Sequence, residues 1–372
     1  MDRKYNIFIT TLFCAFLGGM LMISTILPDK AKSELENRYL AKPPKLSIET
    51  LTNGEFMEDA EEYVSDHIVG RDFWVAAKAW GERLSGKQEN NGAYFGKYDT
   101  LINKLDTPDP KQMETNMGHL DTLVGNVSVP VYFGLIPSSA SIWADRLPAG
   151  APTADEQAII DQLYFSTGAN VIDMAGALSP HSSEDIYYRT DHHWTSLGAY
   201  YGANALLGAM GLDPLNLDDY EKKTVTDQFY GTTFSTSGVR WVAPDHIDTY
   251  IPDDGVKVTS WFTGKPEEGS LYVDSYLDVK DKYSYFLGGN QSLCVIETEH
   301  KDAPKVLIIR DSYSDSLAPF LTQRFSEIHL FDPRYNLTSI KDYVAEHDID
   351  SVVVLYSFAN FSKDPYLFVL SR

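Results

Sequence analysis

Cysteine is nearly absent from this chain. Two occur among 372 residues, Cys14 inside an apolar run and Cys294 in a β-rich stretch. The two lie in segments too different to pair, which excludes a disulfide framework. For each we expect a small, buried hydrophobic side chain. Stability must therefore come from the core, and 43% hydrophobic content with 13% aromatics is enough for a core of full size.

Basic residues are scarce relative to acidic ones. The chain has 31 Lys and Arg against 53 Asp and Glu, which gives a formal net charge of −22 at pH 7. The acidic residues are spread along the sequence and do not form a tail. Because a field of this sign repels the phosphate backbone, we expect no nucleic acid partner.

Charge is missing altogether from Ile7 to Leu27, a run of 21 residues. At about 1.5 Å per residue such a helix is roughly 30 Å long and can cross a bilayer core. A cleaved signal peptide is the alternative, but its apolar region is usually shorter and ends in small residues. This run ends in Ser24-Thr-Ile-Leu-Pro-Asp29, without an Ala-x-Ala site. We therefore predict a cytoplasmic tip and single-pass cell membrane anchor over residues 1–29, a linker over 30–50, and a main domain outside the cytoplasm.

Residues 51–372 are predicted to form one α/β domain. Amphipathic patterns alternate there with apolar runs such as 129–136, 306–309 and 351–355, which are typical of strands buried on both faces. Strands of this kind form a parallel sheet flanked by helices.

The alternation is interrupted at about 214–301. Short aromatic and Thr/Val-rich runs, such as 256–262, 270–276 and 283–287, are separated there by Gly, Pro and Asp. This spacing predicts a β-rich insertion.

Helical periodicity also marks Glu55 to Leu84, and we expect a break into two helices at Gly70-Arg-Asp72. Asp66, His67, Arg71 and Asp72 lie around that break. Charged groups in such a position usually cap a helix end or form ion pairs, so we interpret them as structural, with a binding site as the alternative.

Three strand-to-loop junctions near the C-terminus lie on one edge of the predicted sheet, because each crossover returns the chain in the same direction. Ligands of open α/β sheets bind beyond the carboxyl ends of the strands. A functional site is therefore expected where these junctions converge. Their residues are Asp311-Ser312-Tyr313, Asp332-Pro-Arg334-Tyr335-Asn336 and Tyr356-Ser-Phe-Ala-Asn360.

A carboxylate and two imidazoles stand side by side in Thr190-Asp-His-His-Trp194. The segment precedes an apolar-periodic run from Leu197 to Met210 that predicts a helix, with Thr195 or Ser196 as its cap. Loops at helix entries often carry chemistry. This loop is therefore the strongest candidate for part of a site.

An imidazole can shuttle protons at neutral pH, and a nearby carboxylate can fix its tautomer and stabilise its cation. The nucleophile that this pair lacks is available at Ser312, which follows a predicted strand. We expect Ser312, His193 and Asp191 to meet in space, and we favour His193 over His192 as the base. Helix capping is the structural alternative for Ser312.

Acyl transfer also needs donors for a developing oxyanion. At a helix entry Ser312 has backbone N–H groups beside it, its own and that of Tyr313, and the amide of Asn360 could add a donor. Arg334 is expected either to pair with a neighbouring carboxylate or to bind an anionic sugar. His192 is a further oxyanion or substrate candidate.

Two other function classes fit parts of the sequence. Asp191, His192 and His193 could ligate a divalent metal in a metallohydrolase, although no second His or Cys cluster completes the set. A non-catalytic module that binds polysaccharide or organises a membrane complex could instead use exposed members of the 23 tyrosines. The best candidates for additional metal ligands are His181, Glu184 and Asp185.

Several short motifs resemble those of the DHHW protein family, which takes its name from the tetrad Asp191-His-His-Trp194. The resemblance covers nearly the whole chain. The family is in turn similar to SGNH-hydrolase-like proteins that O-acetylate alginate, in which an Asp-x-His-Trp element precedes a Ser in a Gly-[Thr/Asp]-Ser-[Tyr/Phe]-Ser turn. The other motifs that carry the resemblance are Glu36-Asn-Arg38, Asp66-His67, Arg71-Asp72, Asn91-Gly-Ala-Tyr-Phe-Gly96, Phe286-Leu-Gly-Gly-Asn290 and Arg310-Asp-Ser-Tyr-Ser314.

The resemblance implies an SGNH-hydrolase-like, flavodoxin-like α/β fold with an N-terminal transmembrane helix. It implies Ser312 as nucleophile, His193 as base and Asp191 as orienting acid, with an oxyanion amide near Asn360. In ordinary SGNH hydrolases the serine precedes the Asp/His block, whereas the order here is that of the permuted acetyltransferase relatives. The sequence departs from the pattern of these relatives at two places. Arg310 stands where a glycine commonly precedes the serine, and residues 356–360 contain no Gly-x-Asn-Asp motif.

From the resemblance we expect extracytoplasmic transfer of an acyl group onto a cell-surface polysaccharide through an acyl-enzyme. The acyl group that the resemblance favours is acetyl. With water as the acceptor the same site would be a carbohydrate esterase. The resemblance suggests a partner, an integral membrane O-acyltransferase that passes acetyl groups across the bilayer. No metal or organic cofactor is required by this chemistry.

Overall fold

Residues 3–372 are described by the computed structural model of this protein, so Met1 and Asp2, the tip of the predicted membrane segment, lie outside the described residues. The chain divides into two compact units. The predicted domain began at residue 51, whereas this division places residues 51–91 in the first unit. The first unit comprises the chain up to Asn91 with Phe234–Trp241, and the second comprises Gly92–Thr233 with Val242–Arg372.

Helices and strands alternate through most of the described chain. The α-helices are α1 (Arg3–Ile26), α2 (Ile48–Asn53), α3 (Glu55–His67), α4 (Arg71–Leu84), α5 (Pro110–Asn126), α6 (Ser139–Ile142), α7 (Glu156–Ser166), α8 (Met174–Leu178), α9 (Ser196–Ala209), α10 (Thr232–Ser237), α11 (Tyr313–Leu321), α12 (Ile340–Glu346) and α13 (Phe358–Phe361). The strands are β1 (Lys32–Ser33), β2 (Arg38–Tyr39), β3 (Glu89–Asn90), β4 (Ala93–Gly96), β5 (Thr100–Asn103), β6 (Val131–Ile136), β7 (Asn170–Ile172), β8 (Lys223–Phe229), β9 (Asp245–Thr249), β10 (Lys257–Trp261), β11 (Glu267–Gly269), β12 (Leu293–Glu297), β13 (Lys305–Arg310), β14 (Glu327–Phe331) and β15 (Ser351–Ser357). Short 3-10 helices lie at Ala144–Arg146, Ser179–His181, Leu217–Asp219, Asp274–Asp278, Lys282–Tyr285 and Pro365–Ser371.

In the first unit, α1 holds 24 residues, and none of its described side chains is buried within the protein. The expectation that Cys14 is buried is therefore wrong for this residue, whereas Cys294 is buried. At about 1.5 Å per residue it is roughly 36 Å long, enough to cross a bilayer core. By length and composition it is a candidate membrane span, and a signal sequence meets the same criteria.

The segment predicted as an extended linker holds ordered structure. β1 and β2 form an antiparallel hairpin with Asn37 at φ +50° in its turn. Ser47 caps α2, since its hydroxyl accepts the backbone N–H of Thr50. A local sequence pattern does not reveal the hairpin because its charged residues find their partners far along the chain.

Those partners form what we call the N-terminal ion-pair cluster, made of Glu36, Arg38, Asp66 and Arg71. Arg38 donates to both carboxylate oxygens of Asp66 and, at 2.8 Å, to Glu36. Arg71 lies 2.6 Å from Glu36 and 3.5 Å from Asp66. The Asp66 side chain is 3% exposed, and the Arg38 guanidinium holds the pKa of that carboxyl below its ordinary value. Asp66 and Arg71 are ion-paired, as we interpreted them from the sequence.

The second unit is built on an eight-stranded sheet with the order β11-β10-β12-β14-β13-β15-β6-β7. The strands from β14 to β7 run parallel. β12 pairs antiparallel with β14, and β10 and β11 continue that pattern to the edge. The α/β prediction is confirmed, and the insertion extends the sheet by three antiparallel strands.

The order of the parallel strands is a circular permutation of the flavodoxin-like arrangement. When β13 is counted as the first strand and β14, β15, β6 and β7 follow, the spatial order becomes 2-1-3-4-5. The switch point of such a sheet lies between its first and third strands, here β13 and β15. The segments that follow these two strands contain Ser312, at the entry to α11, and Asn360, in α13.

Alternate residues of the central strands point to opposite faces of the sheet. Val306 and Ile308 of β13 join a core with residues of α8, α9 and α11. Leu307 and Ile309 join a second core with residues of α5, α7 and α12. The sheet is therefore covered by helices on both faces, which explains its continuous apolar runs.

Two runs of the insertion that we predicted as strands are mostly turns. Residues 274–278 and 282–285 form 3-10 helices, and Leu287 and the two glycines after it have positive φ. The aromatic side chains of these runs enter a separate small core that includes Tyr188 and Phe229. The aromatic residues of these two runs are therefore explained by their burial in this core and not by strand pairing in a sheet.

Candidate active site

Two helix entries meet on one face of the sheet. α9 begins after Thr195, whose hydroxyl accepts the backbone N–H of Gly198 at 3.3 Å. α11 begins at Tyr313, one turn after the end of β13. Both helices belong to the same core and contact each other. The predicted helix after the tetrad is confirmed, with Thr195 as its cap.

Asp191, His193 and Ser312 form one chain of hydrogen bonds. Ser312 Oγ lies 2.7 Å from His193 Nε2. His193 Nδ1 lies 2.6 Å from Oδ1 of Asp191, which also accepts the backbone N–H of His193 at 2.9 Å. An imidazole in this position can accept the serine proton, while the carboxylate orients the ring and stabilises its cation.

The Asp191 carboxylate is 3% exposed. Its second oxygen accepts the backbone N–H of Thr232 at 2.6 Å. Burial alone would raise the pKa of Asp191, but the imidazoles of His192 and His193 and the hydrogen bonds from His193 hold that pKa well below its ordinary value. Gly231 passes so close that a Cβ there would lie 2.2 Å from the Cβ of Asp191. The carboxylate is therefore ionised and tightly enclosed.

A second buried carboxylate, Asp245, holds the segment that leads into the tetrad. It accepts the backbone N–H groups of Arg189 and Thr190 at 3.0 and 2.8 Å, and the Thr190 hydroxyl at 2.6 Å. Burial raises the pKa of Asp245. No local motif marks this residue, since it stands 55 positions from Thr190 along the chain.

His192 lies beside the chain of hydrogen bonds and outside it. Its ring centroid is 3.9 Å from that of His193, and its Nδ1 is 3.5 Å from Asp191. Burial and the neighbouring His193 lower the pKa of His192 to about 4. The ring is therefore neutral at pH 7, and its partial exposure keeps it available to a substrate.

Trp194 and Tyr313 tie the two loops together. The Trp194 indole N–H donates to the Tyr313 carbonyl at 2.9 Å, and the Tyr313 hydroxyl donates to the His192 carbonyl. Trp194 is fully buried and Tyr313 is 4% exposed. A Cβ at Gly202 would lie 2.6 Å from the Trp194 ring, so α9 needs a glycine where the indole crosses it. Tyr313 therefore holds the two loops in place.

Tyr283 of the insertion also lies at the site. Its ring stacks on His193, with 3.8 Å between centroids and 7° between planes. Its hydroxyl donates to the Ser312 carbonyl at 3.0 Å and lies 3.1 Å from Ser316 Oγ. The stack limits rotation of the imidazole and covers one of its faces. Sequence reasoning missed Tyr283, and its nearest signal was the Phe286–Asn290 motif that follows it.

Asp311 joins the nucleophile turn to the loop after β15. This fully buried carboxylate accepts Tyr313 N–H at 3.1 Å, Ser357 N–H and Oγ–H at 2.9 and 2.6 Å, and the Asn360 amide at 2.8 Å. The Tyr313 N–H is thus already bonded. Asn360 keeps a second amide hydrogen, and no described residue accepts the Ser312 N–H. These two groups remain the candidates for oxyanion donors.

Two arginines near this edge are paired with carboxylates. Arg310 is fully buried, and one of its terminal nitrogens lies 2.8 Å from Asp315. Burial raises the pKa of Asp315 to about 7, against the lowering effect of Arg310. Arg334 donates to both oxygens of Asp332 at 2.9 and 2.6 Å. Of the two roles considered for Arg334, its contacts show carboxylate pairing.

A family model described as DHHW protein matches residues 115–331, which is more than half of the chain. The match includes the tetrad and Ser312. This chain belongs to the DHHW family. No curated protein sequence matches it significantly.

Solved structures share the fold of this DHHW protein. A DHHW family protein from Eubacterium siraeum is 26% identical with a TM-score of 0.68, covering 76% of this chain and 95% of its own. Bacillus cereus PatB1 with a sulfonyl adduct is 19% identical with a TM-score of 0.61, covering 74% and 98%. The O-acetyltransferase domain of Pseudomonas putida AlgJ is 14% identical with a TM-score of 0.46, covering 75% and 98%, a likeness too weak to bear on function. The predicted SGNH-hydrolase-like fold class and family resemblance are confirmed.

The acid and histidines of the DHHW tetrad are also the one group of potential metal ligands found within residues 3–372, with one ligand atom from each inside 4.8 Å of the others. Both ring nitrogens of His193 are engaged, one by Asp191 and one by Ser312. A metal on that ring would have to displace one of them. His181 and Glu184, suggested as further ligands, bond to each other at 2.7 Å. The contacts therefore fit serine chemistry better than metal ligation.

Proposed function

We propose that this DHHW family protein is a membrane-anchored, extracytoplasmic acyltransferase that places an acetyl group on a hydroxyl of a cell-surface polysaccharide. The observation that carries the proposal is the pair of distances from His193, 2.7 Å to Ser312 Oγ and 2.6 Å to Asp191. The acetyl group and the polysaccharide come from the family resemblance, and the length of α1 supports the anchor.

In the first step Ser312 Oγ attacks the carbonyl carbon of the acyl donor, and its proton passes to His193 Nε2. Asp191 accepts the Nδ1 hydrogen bond and stabilises the imidazolium. The carbonyl oxygen becomes negative close to the Ser312 N–H and the Asn360 amide, which stabilise it. The bond to the leaving group then breaks, the leaving group takes the proton from His193, and an acyl ester remains on Ser312.

In the second step a sugar hydroxyl occupies the position of the leaving group. His193 removes its proton while the hydroxyl oxygen attacks the acyl carbon of the Ser312 ester. The ester bond to Ser312 breaks, and Oγ regains a proton from His193. If water takes the sugar's place the outcome is hydrolysis, and the Tyr283 ring over the imidazole limits the access of water on that face.

The acyl donor must reach an enzyme that lies outside the cytoplasm. We propose an integral membrane O-acyltransferase as the partner that passes acetyl groups across the bilayer, as the family resemblance implies. This scheme uses side chains and backbone donors alone, with no metal or organic cofactor.

In a direct test, the protein is incubated with a chromogenic acetyl ester, with and without a chelator, and ester cleavage is measured. We expect ester cleavage that Ser312→Ala abolishes and the chelator leaves unchanged. Sensitivity to the chelator would favour a metallohydrolase. An inactive wild-type protein that binds glycan would favour the non-catalytic module.

A second test uses a sulfonyl fluoride, which reacts with activated nucleophiles. PatB1, which shares the fold, has been solved with a sulfonyl adduct. We expect mass spectrometry to locate the added mass on the peptide that contains Ser312. With an oligosaccharide present, acetylated sugar would indicate transfer, whereas free acetate alone would indicate an esterase.

A further inference from the structure

Helix α4 presents an apolar stripe to the outside of the protein. Phe73, Ala77, Trp80 and Leu84 recur at spacings of four, three and four residues, which places them on one side of a helix. Phe73 is 66% exposed, Trp80 44% and Leu84 83%, and the neighbouring Trp74 is 42% exposed. Ala79, on a different side of the helix, is fully buried, and the centroid of the Trp80 ring lies 4.6 Å from that of the Trp241 ring.

The corner between α3 and α4 is tied to the end of α1. The backbone N–H of Val69 donates to the Ser24 hydroxyl at 2.9 Å, two residues before α1 ends. Nearby, the Tyr63 hydroxyl donates to Asp29 at 2.8 Å. The His67 ring lies 3.3 Å from the carbonyl of Lys30. If α1 spans a bilayer, these contacts hold the corner at the membrane surface.

Trp74, beside the stripe, contacts the span. The Trp74 ring meets the Phe16 ring edge-on, with 6.4 Å between centroids. Phe16 is ten residues before the end of α1, about 15 Å along the helix axis at 1.5 Å per residue. Trp74 therefore contacts a part of α1 that would lie within the hydrocarbon region.

We propose that α4 lies in the membrane interface with this stripe against lipid. Amphipathic helices rich in Trp, Phe and Leu bind in this way, and aromatic rings concentrate at the boundary between headgroups and acyl chains. The inference rests on the proposed membrane anchor. It adds a second membrane contact that fixes the orientation of the first unit on the bilayer.

Tryptophan fluorescence tests the proposal, because none of the six tryptophans lies in α1. The full-length protein is reconstituted into liposomes made with or without lipids brominated on their acyl chains, which quench nearby indoles. With Trp74 and Trp80 in contact with lipid, we expect bromination to remove up to about a third of the emission, because these are two of the six tryptophans.

Matched variants locate the contact. Replacing Trp74 and Trp80 together with Phe should abolish the quenching, whereas Trp261→Phe, a change in the second unit, should leave it. Replacing Phe73 and Leu84 together with Asn should lift the helix from lipid and lower the quenching while both reporters remain.

Alkaline extraction of the same liposomes tests the anchor separately. Protein that stays in the membrane but shows no quenching would overturn the α4 contact and leave the anchor intact. Quenching that persists after both tryptophans are replaced would also overturn it. Protein that is extracted by alkali would instead contradict the anchor in the proposed function.

Discussion

The Ser312–His193–Asp191 hydrogen bonds and the N-terminal ion-pair cluster both involve residues whose motifs stand out in the sequence, yet they differ in how their charges are balanced. In the cluster two guanidinium groups face two carboxylates, so each charge meets an opposite one. In the hydrogen-bonded group of Ser312, the carboxylate of Asp191 bonds to the His193 imidazole, and the imidazole bonds to the neutral Ser312 hydroxyl.

The difference teaches how to distinguish a structural motif from a reactive one. Guanidinium groups do not titrate near neutral pH, so the cluster cannot accept and return a proton there. An imidazole that ends on a nucleophile can accept and return a proton. Substitutions of Ser312, His193 or Asp191 should therefore lower ester cleavage, and substitutions in the N-terminal ion-pair cluster should lower the free energy of unfolding.

The largest expected effect is that of Ser312→Ala. Without the nucleophile, ester cleavage should fall by about 1000-fold or more, because the remaining groups can only bind and polarise the substrate. Thermal unfolding should be nearly unchanged. Ser166→Ala, on an exposed serine at the end of α7, is the matched control and should keep full activity. An active Ser312→Ala protein would contradict the role of Ser312 as the nucleophile.

Gly231→Ala should disturb the same hydrogen bonds by displacing Asp191. The added methyl would lie 2.2 Å from the Asp191 Cβ, so the carboxylate must move. We expect activity to fall about 100-fold and the free energy of unfolding to fall by about 1–3 kcal/mol. Gly118→Ala in α5 is the control, since nothing beyond the adjacent backbone of its own helix lies within 4 Å of the added methyl. It should leave activity unchanged and stabilise the helix slightly.

A smaller effect is expected from Tyr283. Tyr283→Leu removes both the ring over His193 and the hydroxyl on the Ser312 carbonyl, and should lower kcat about tenfold. Tyr283→Phe keeps the stack and should lose less. Since the imidazole becomes more accessible to water, the ratio of hydrolysis to transfer should rise in Tyr283→Leu. The exposed Tyr366, changed to Leu, should alter neither value.

Asp66→Asn tests the other side of the comparison. It should lower the free energy of unfolding by about 1–2 kcal/mol at neutral pH, since Arg38 is partly exposed and its pairing is screened. Because the pKa of Asp66 is lowered in the folded protein, this contribution is present above its ordinary value of 3.8 and is lost as pH falls. Denaturant unfolding at pH 7 and pH 3 would measure the difference. Loss of ester cleavage greater than twofold would argue against a purely structural role.

Glu156 should show the opposite pH dependence with no change in activity. Burial raises its pKa from 4.5 to about 7, although Ser138 donates to both of its oxygens. The folded protein then binds a proton that the unfolded chain releases above pH 4.5, so stability falls as pH rises from about 4.5 to about 7. In Glu156→Gln this fall should be smaller by about 2–3 kcal/mol. Equal pH slopes in the two proteins would contradict the assignment.

Much of this architecture could be predicted from local patterns. The apolar strands, the helix after the tetrad and the edge that gathers Ser312 follow from periodicity and from the handedness of crossovers. The structure brings Asp191, His193 and Ser312 together at that edge. The strand order itself depends on pairing between distant segments, and periodicity contains no information about it.

The contacts that support the site could not be predicted in the same way. Tyr283 stands in an aromatic, turn-rich insertion, and only the folded chain places its ring on His193. Asp311 looked like part of a helix entry, yet its carboxylate bonds Ser357 and Asn360, almost fifty residues later. Such partners are set by the tertiary fold and leave no local periodic signal.

Because the sheet is circularly permuted, its middle is the last part to leave the ribosome. β6 and β7 are made first, and His193 emerges 119 residues ahead of Ser312. β15, the final strand, is the one that bridges β13 to β6. Until it is in place, the edge of β6 that β15 covers has no partner strand. Ser312 can therefore reach His193 only after both halves of the sheet have been synthesised.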